Sequence, residues 1–559
     1  MRFLITTLSC FVGLSAFSQN PLVIPPALTG TTFQLSLEEG ITNFFPGINT
    51  NTMGANGSLL GPTLILNQGD FVSIEVDNQL MDTSTIHWHG LHVAPEHDGG
   101  PHTTIPPMTV WNPQFTVLDK AGTYWYHPHL HMHTNEHVSK GIAGMILVRD
   151  AEEAALNLPM TYGVDEFPLV LQTKAFDAAG QIVVLSNLDT TVLVNGTRDA
   201  HLDVPAQVVR LRLLNGASMR TMEIGFSDNR SFQIIGTDGG LLSAPVTKTR
   251  YRLAPGQRLD ILVDLNGATG QNFSLMSYGA ELPNAIYGAA QPGMGAGATG
   301  SLVGYTSNPL NGANYALLDL TVIAQTASPV TTLPTSLATF TPIPEASAMT
   351  TRNLTFTSMG AMGNLNGPFV INGMAFDMHM INYTIPLDNI EIWSLTNQTP
   401  IAHPFHIHDV QFFILDINGV APTAEMAGYH DVVLVPGGMG TVRFIAVFND
   451  HSNDSVPYMY HCHMLVHEDD GMMGQFLVVD PNSSISENEF IPWSVYPNPS
   501  FGSVTIESDK EVHIGLYDLN GNLLRTIDQY AGKIQISGLP LGFYMLRDEL
   551  GNVRKLVIE

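Results

Sequence analysis

The chain runs to 559 residues, 44% hydrophobic and 13% charged, rich in Gly (51) and Pro (35). Such a length holds three or four domains, and such an apolar share excludes bulk disorder. A formal net charge of −28 repels phosphate backbones and anionic lipid, which excludes nucleic acid and membrane surfaces as partners; keeping an exported protein soluble is the plainest use of it.

The N-terminus opens with Met1-Arg2, a mostly apolar stretch from Phe3 to Phe17 and the small-x-small pattern Ala16-Phe17-Ser18. Residues 1–19 therefore read as a secretory signal peptide, and no later apolar run is long enough to span a bilayer. Residues 20–150 carry short strands such as Thr63-Leu64-Ile65-Leu66 and Val72-Ser73-Ile74-Glu75-Val76. Residues 160–325 repeat the style at 167–172, 209–214 and 261–264. A Thr/Pro/Ala/Ser-rich linker follows at 326–349, then a third strand-rich unit at 350–482. Strands alternate with turn signals and no long helical period intervenes, so the expected fold class is all-β, a row of β-sandwiches. The last unit, 490–559, opens with Tyr496-Pro497-Asn498-Pro499, keeps period-two alternation, turns at Asn520-Gly521 and ends on a Lys555-Leu556-Val557-Ile558 strand. It reads as a small appended β-sandwich.

Only two cysteines are present, Cys10 and Cys462. Cys10 falls in the signal peptide, so the exported protein carries one thiol, which needs a reason. The reason lies in four histidine clusters: His87-Trp88-His89, His127-Pro128-His129, His403-Pro404-Phe405-His406-Ile407-His408, and His461-Cys462-His463 continuing through His467 to Met472. One His-x-His pair is weak; four, one of them around the sole mature Cys, point to metal. On a strand His461 and His463 face one side and Cys462 the other, so one tripeptide can touch two metal sites. Cys462, His403 and His467 with a weak axial Met472 form the ligand set of a blue copper centre, and the remaining imidazoles suit further copper ions. His92, His97, His102, His131, His133, His137, His379 and His430 read as ordinary loop residues or partners of ligands. Met359, Met362, Met374, Met378 and Met380 allow two readings, soft Cu(I) donors or core packing.

These motifs, with Gly61-Pro62-Thr63, Trp125-Tyr126-His127-Pro128-His129, Asp238-Gly239-Gly240 and His467-Glu468-Asp469-Asp470-Gly471-Met472, resemble the multicopper oxidases over nearly all of residues 55–480. The three-domain bacterial laccases and periplasmic cuprous oxidases are the nearest subgroup. The resemblance implies three cupredoxin-like Greek-key β-sandwiches and four coppers. The type 1 ion would be held by His403, Cys462, His467 and Met472. The type 2 ion would take His87 and His406, and the type 3 pair His89, His127, His129, His408, His461 and His463. It implies oxidation of phenols or aromatic amines at the type 1 site and reduction of O2 to water at the trinuclear site, with the second domain as a spacer. Asp98 and Glu468 stand at family positions for proton relay, or else orient ligand histidines. Asp431 is placed either at the type 1 edge, taking a phenol proton, or in a buried hydrogen-bonding role. The long Met/His insertion of cuprous oxidases is missing, which leaves His467 open to bulky donors and favours organic substrates over Cu(I). Cu(I) or other metal-ion oxidation is the alternative, and a non-catalytic copper-binding cupredoxin protein the alternative of another class. The final unit resembles the C-terminal sorting domain of type IX secretion, implying export through the periplasm of a Gram-negative bacterium to the surface or medium, as a monomer.

Overall fold

The computed structural model describes residues 19–291, 308–359, 365–481 and 493–559, apart from 509, 519–520, 530 and 549–552. The expected signal peptide, but for Gln19, and Met362 lie outside the described residues. The chain divides into two units, Met1–Asp480 and Pro481–Glu559.

Within the first unit one pattern recurs three times. In each repeat two strand pairs run parallel, one pair in each sheet, and their strands interleave along the chain. The partners are Thr32–Phe45 with Phe71–Asn78 and Thr63–Asn67 with Gly144–Arg149, then Glu166–Lys174 with Val208–Asn215 and Ala200–Pro205 with Asn314–Ile323. In the third they are Thr350–Ser358 with Asn389–Asn397 and Tyr383–Pro386 with Met473–Val479. Antiparallel neighbours complete two sheets per repeat, and each pair of sheets closes over its own apolar core. These are three β-sandwiches of cupredoxin type. Period two explains the sidedness: along Phe71–Asn78, Val72, Ile74 and Val76 point inward and the residues between them do not. The longest helix among the described residues, Thr134–Lys140, has seven residues, and none is long and apolar enough to cross a membrane.

Two boundaries differ from expectation. Asn20–Pro21 does not open the first sandwich; it pairs parallel with Ala200–Pro205 on the edge of the second. The segment 326–349 is no free spacer. Leu337 and Ala338 are buried in the second core, and their amides donate to Ser243 and Leu242 carbonyls at 2.9 and 3.1 Å. Apolar residues inside a Pro-rich stretch dock because burying them outweighs leaving them in water.

The second unit has sheets of three and four strands around Trp493, Ile506, Ile514, Leu546 and Leu556. Val512–Tyr517 and Leu523–Gln529 pair as the expected hairpin.

Candidate metal centre

Two strands build the chemistry of the third sandwich. His403–Ile407 lies antiparallel to Tyr458–Cys462, with Phe405 opposite Cys462 and His406 opposite His461. The short helix Leu465–Asp469 then turns His467 back toward Cys462. Cys462 Sγ lies 3.4 Å from His403 Nδ1 and 3.7 Å from His467 Nδ1, and those two nitrogens are 3.2 Å apart. All three residues are buried. Their outer nitrogens are occupied: His403 Nε2 meets Thr399 Oγ1 at 2.8 Å, and His467 Nε2 donates to the Leu365 carbonyl at 2.9 Å. Both Nδ1 lone pairs therefore face the sulfur. Burial holds His467 at about 4 and His403 well below the usual range, and it pushes the Cys462 thiol up. Neutral imidazoles converging on a buried sulfur are what a soft cation needs, and binding it displaces the thiol proton. Met472 is buried beside them, its carbonyl accepting from the Cys462 amide at 3.0 Å.

On the opposite side from Cys462, His461 and, just past the strand's end, His463 meet the first sandwich. There His87–His89 pairs with Gly122–His127, setting His87 opposite His127 and His89 opposite Trp125. The side chains sort into the sets His89/His127/His463, His129/His408/His461 and His87/His89/His406, the possible ligand atoms of each lying within 4.8 Å of one another. All eight histidines are buried. The outer nitrogens of four are tied to backbone: Nδ1 of His87, His127, His406 and His461 meets the carbonyls of Asp98, Pro128, Asp431 and Cys462 at 2.8–3.1 Å. Inside, Nε2 of His87, His406, His408 and His463 has no protein partner, and His129 Nε2 faces His461 Nε2 at 3.1 Å. Buried nitrogens without partners are costly. Burial holds His89, His127, His129, His406 and His463 well below the usual range, and His408 at about 3. Neutral lone pairs aimed into one space fit several imidazole-bound metal ions.

The multicopper oxidase profiles match residues 37–153, 171–292 and 343–482. Over 459 residues the chain is 32% identical to multicopper oxidase mco of Staphylococcus haemolyticus (strain JCSC1435), an alignment covering 80% of this chain and 88% of that one. The chain belongs to the multicopper oxidase family. Among solved structures it is similar to the bacterial laccase-like multicopper oxidase CueO of Ochrobactrum sp., 31% identical with a TM-score of 0.71, covering 82% of this chain and all of that one. It is also 31% identical over 473 residues to the cell division protein FtsP of Escherichia coli (strain K12), covering 83% and 94% of the two chains. Residues 494–559 match the secretion system C-terminal sorting domain, which marks a secreted or cell-surface protein.

Every histidine singled out from the four motifs thus falls in one of two places in this oxidase. Asp98 and Glu468 join them. Asp98 Oδ2 accepts from His408 Nδ1 at 2.8 Å and Oδ1 lies 3.2 Å from His87 Nδ1. Glu468 lies 3.4 Å from His129 Nδ1 and 3.2 Å from His461 Nδ1. Burial pushes both carboxyls up, but His87 and His408, and His461 and His129, outweigh it and hold both well below the usual range.

One expectation is corrected and two open readings are narrowed. His467 is not open: it is fully buried, with the Leu365 carbonyl on its outer nitrogen. Asp431 does not line that edge. Val432 pairs opposite His406, so Asp431 is carried behind His406 and His89 and is itself buried. The described methionines of the group are not core: Met359 and Met374 are exposed, and Met378 and Met380 only partly buried. Most of the other histidines have protein partners. His92 lies 2.6 Å from Asp119, which overcomes burial and lifts it to about 9. His102 meets Gln475, His137 meets Ser84 and His430 meets Asp238.

Sequence reasoning missed the second sandwich's part in the site. Arg258, buried, pairs in a fork with Asp431, whose Oδ1 lies 3.2 Å from His89 Nε2. The only trace in sequence was Asp238-Gly239-Gly240, whose Asp238 accepts from the Arg258 amide at 2.7 Å.

Proposed function

We propose that this multicopper oxidase is laccase-like, coupling one-electron oxidation of phenols or aromatic amines to the four-electron reduction of O2 to water. His403, Cys462, His467 and Met472 would hold the type 1 ion. His87 and His406 would hold the type 2 ion, and His89/His127/His463 and His129/His408/His461 the two halves of the type 3 pair. When bound, the four coppers supply one-electron redox chemistry at the donor site and a multi-electron reservoir at the O2 site.

One observation carries the reading: Cys462 sits in one candidate site while His461 and His463, its covalent neighbours, sit in the other. A thiolate linked through two peptide bonds to both triads gives electrons the short path this coupled reaction needs. The tripeptide also fixes the spacing of the two sites, because neither end can move alone. Reduction of O2 consumes protons in a closed site. Asp98 Oδ2, against His408 Nδ1, and the Glu468 carboxylate, against His129 and His461, are the groups able to hold and pass them. The Leu365 carbonyl orients His467, and burial keeps that ring from water. The N-terminal apolar stretch would direct export into the periplasm of a Gram-negative cell, and the sorting domain would carry the monomer onward.

Exposed Met359 and Met374 favour a second reading, oxidation of Cu(I) delivered by soft thioethers. A non-catalytic copper-binding role is the reading of another class, against which stands the full set of candidate ligands. The discriminating experiment is steady-state oxidation of a phenolic dye and of Cu(I), side by side, with O2 uptake. A kcat/KM ratio favouring Cu(I) tenfold, about 1.4 kcal/mol at the transition state, would replace the organic-donor reading. Failure to take up O2 with either donor would leave the non-catalytic one.

A further inference from the structure

His89 is oriented differently from the histidines around it. His87, His127, His406, His408 and His461 turn Nδ1 outward to a carbonyl or carboxylate. His89 turns Nε2 outward, to Asp431 Oδ1 at 3.2 Å, and its Nδ1 inward, 3.4 Å from His127 Nε2. The group that accepts from it belongs to the third sandwich, and what holds that group belongs to the second. Arg258 Nη1 donates to Asp431 Oδ1 at 2.7 Å and Nη2 to Asp431 Oδ2, a two-pronged pair.

Arg258 is itself anchored from several sides. Its Nε donates to the Thr123 carbonyl of the first sandwich at 3.0 Å, Nη1 to the Gly256 carbonyl at 3.0 Å and Nη2 to the Asp238 carbonyl at 2.9 Å. The three sandwiches converge here without slack. A Cβ on Gly239 would come within 2.5 Å of Gln411 and Tyr429, and one on Gly240 within 2.9 Å of the Ala121 carbonyl. At Gly90, φ is +90° and a Cβ would meet Arg258 Nη2 at 2.7 Å. Gly256 backs the same triad from another direction, since a Cβ there would meet the His463 ring at 2.8 Å.

The other triad has a different backing. His408 faces Asp98, and His129 and His461 face Glu468. Neither carboxylate has an Arg or Lys ion-pair partner among the described residues, whereas Asp431 is neutralised by Arg258.

We propose that Arg258 is a positioning residue of the O2-reducing centre: through the Asp431 carboxylate it holds His89 with Nδ1 turned inward, so the second sandwich, which contributes no ligand, governs metal retention by the His89/His127/His463 triad, while His406 keeps its bond to the Asp431 backbone carbonyl. The proposal rests on the copper-oxidase reading above. The experiment compares copper-loaded full-length Asp431→Leu, Arg258→Met and Arg258→Lys with the unaltered protein. Copper per chain is titrated against a chelator, the blue Cys462 band is recorded, and the EPR spectrum is taken, because an intact coupled pair is silent and a broken one is not.

The expected result is a loss of about 10–100-fold in affinity for a single copper per chain, a new EPR signal from its widowed neighbour, and an undiminished blue band. The blue band also reports that the third sandwich has folded. If Asp431→Leu and Arg258→Met fail to give it, Arg258→Lys decides, because it keeps the charge but loses the fork. Retention of all copper at unaltered affinity with a silent pair, in whichever variant folds, overturns the proposal. Loss of the blue centre's copper first overturns it too, since the defect would then not be confined to this triad. An unaltered protein that binds no copper and shows no blue band would sink the oxidase reading instead, before the variants are compared.

Discussion

Replacing Arg212 by Met tests how the second sandwich is fastened to the first. Arg212 is fully buried on the strand Val208–Asn215, opposite Asp260 on Arg258–Asp264. It donates to Glu166 at 2.7 Å, Asp260 at 2.8 Å, Thr123 at 2.9 Å and Glu153 at 3.0 Å. Arg210 donates to Glu153 and Asp260, and Arg149 to Glu153 and Glu166. Three guanidiniums thus meet three carboxylates, from both sandwiches, without excess charge. Removing one guanidinium leaves an uncompensated buried negative charge, for which the expected cost is about 3–5 kcal/mol.

The sign of the pH dependence separates this cause from lost packing. In the intact protein burial pushes Glu153 and Glu166 up but the arginines hold both at about 2. Their folded values lie below the unfolded ones, so the pairing stabilises fully above about pH 4.5 and is lost as pH falls toward 2. In the variant a carboxyl freed of Arg212 shifts upward, and protonation below neutrality relieves it. The deficit in urea unfolding free energy is therefore largest at pH 7 and shrinks toward pH 4. A deficit below about 1 kcal/mol, or one independent of pH, would refute the charge-balance argument. The blue band is the control that the third sandwich stays intact.

Cys462→Ser abolishes both the blue absorption and O2 uptake while leaving the circular dichroism unchanged; retained activity would mean Cys462 is not the electron port. Met472→Leu raises the potential of the blue centre in a redox titration, because losing a weak thioether disfavours Cu(II); a fall would remove Met472 from the axial position. Lys174 is buried with its Nζ on the Ser139 carbonyl at 2.6 Å, and burial lowers it to about 7. The unfolded chain binds that proton up to about pH 10.5, so stability rises with pH from 7 to 10.5. Lys174→Met flattens that rise and gains about 2–4 kcal/mol at pH 7, read by urea unfolding. Truncation after Asp480 leaves copper content and turnover within about twofold in the isolated enzyme, because every candidate ligand precedes it; loss of copper would refute this, and normal export without the tail would remove the sorting role.

What could be read from sequence follows from how local the information was. The candidate ligands come in clusters of two to five, and where they lie on a strand its geometry decides which face each side chain takes, so His461, Cys462 and His463 could be sorted between two sites before any fold was known. The same holds for the repeated sandwiches, whose inward residues alternate as Val72, Ile74 and Val76 do. Arg258 and Asp431 were beyond reach for the opposite reason. They are 173 positions apart, and neither belongs to a spacing pattern. An aspartate after a histidine in a loop reads equally well as a surface proton acceptor. Arg210 and Arg212 are hard to read for another reason. In Val208–Asn215, alternating arginines mimic the solvent face of an edge strand, yet that face is the junction with the first sandwich, and its carboxylates come from three other elements. A chain with 22 basic residues against 50 acidic ones offers one usable signal. Where an arginine sits amid apolar residues in a central strand, as Arg258 does before Leu259 and Ile261, water cannot stabilise it, so a buried carboxylate must. That rule, applied to the second sandwich, would have predicted a partner at its interfaces and denied it the role of spacer.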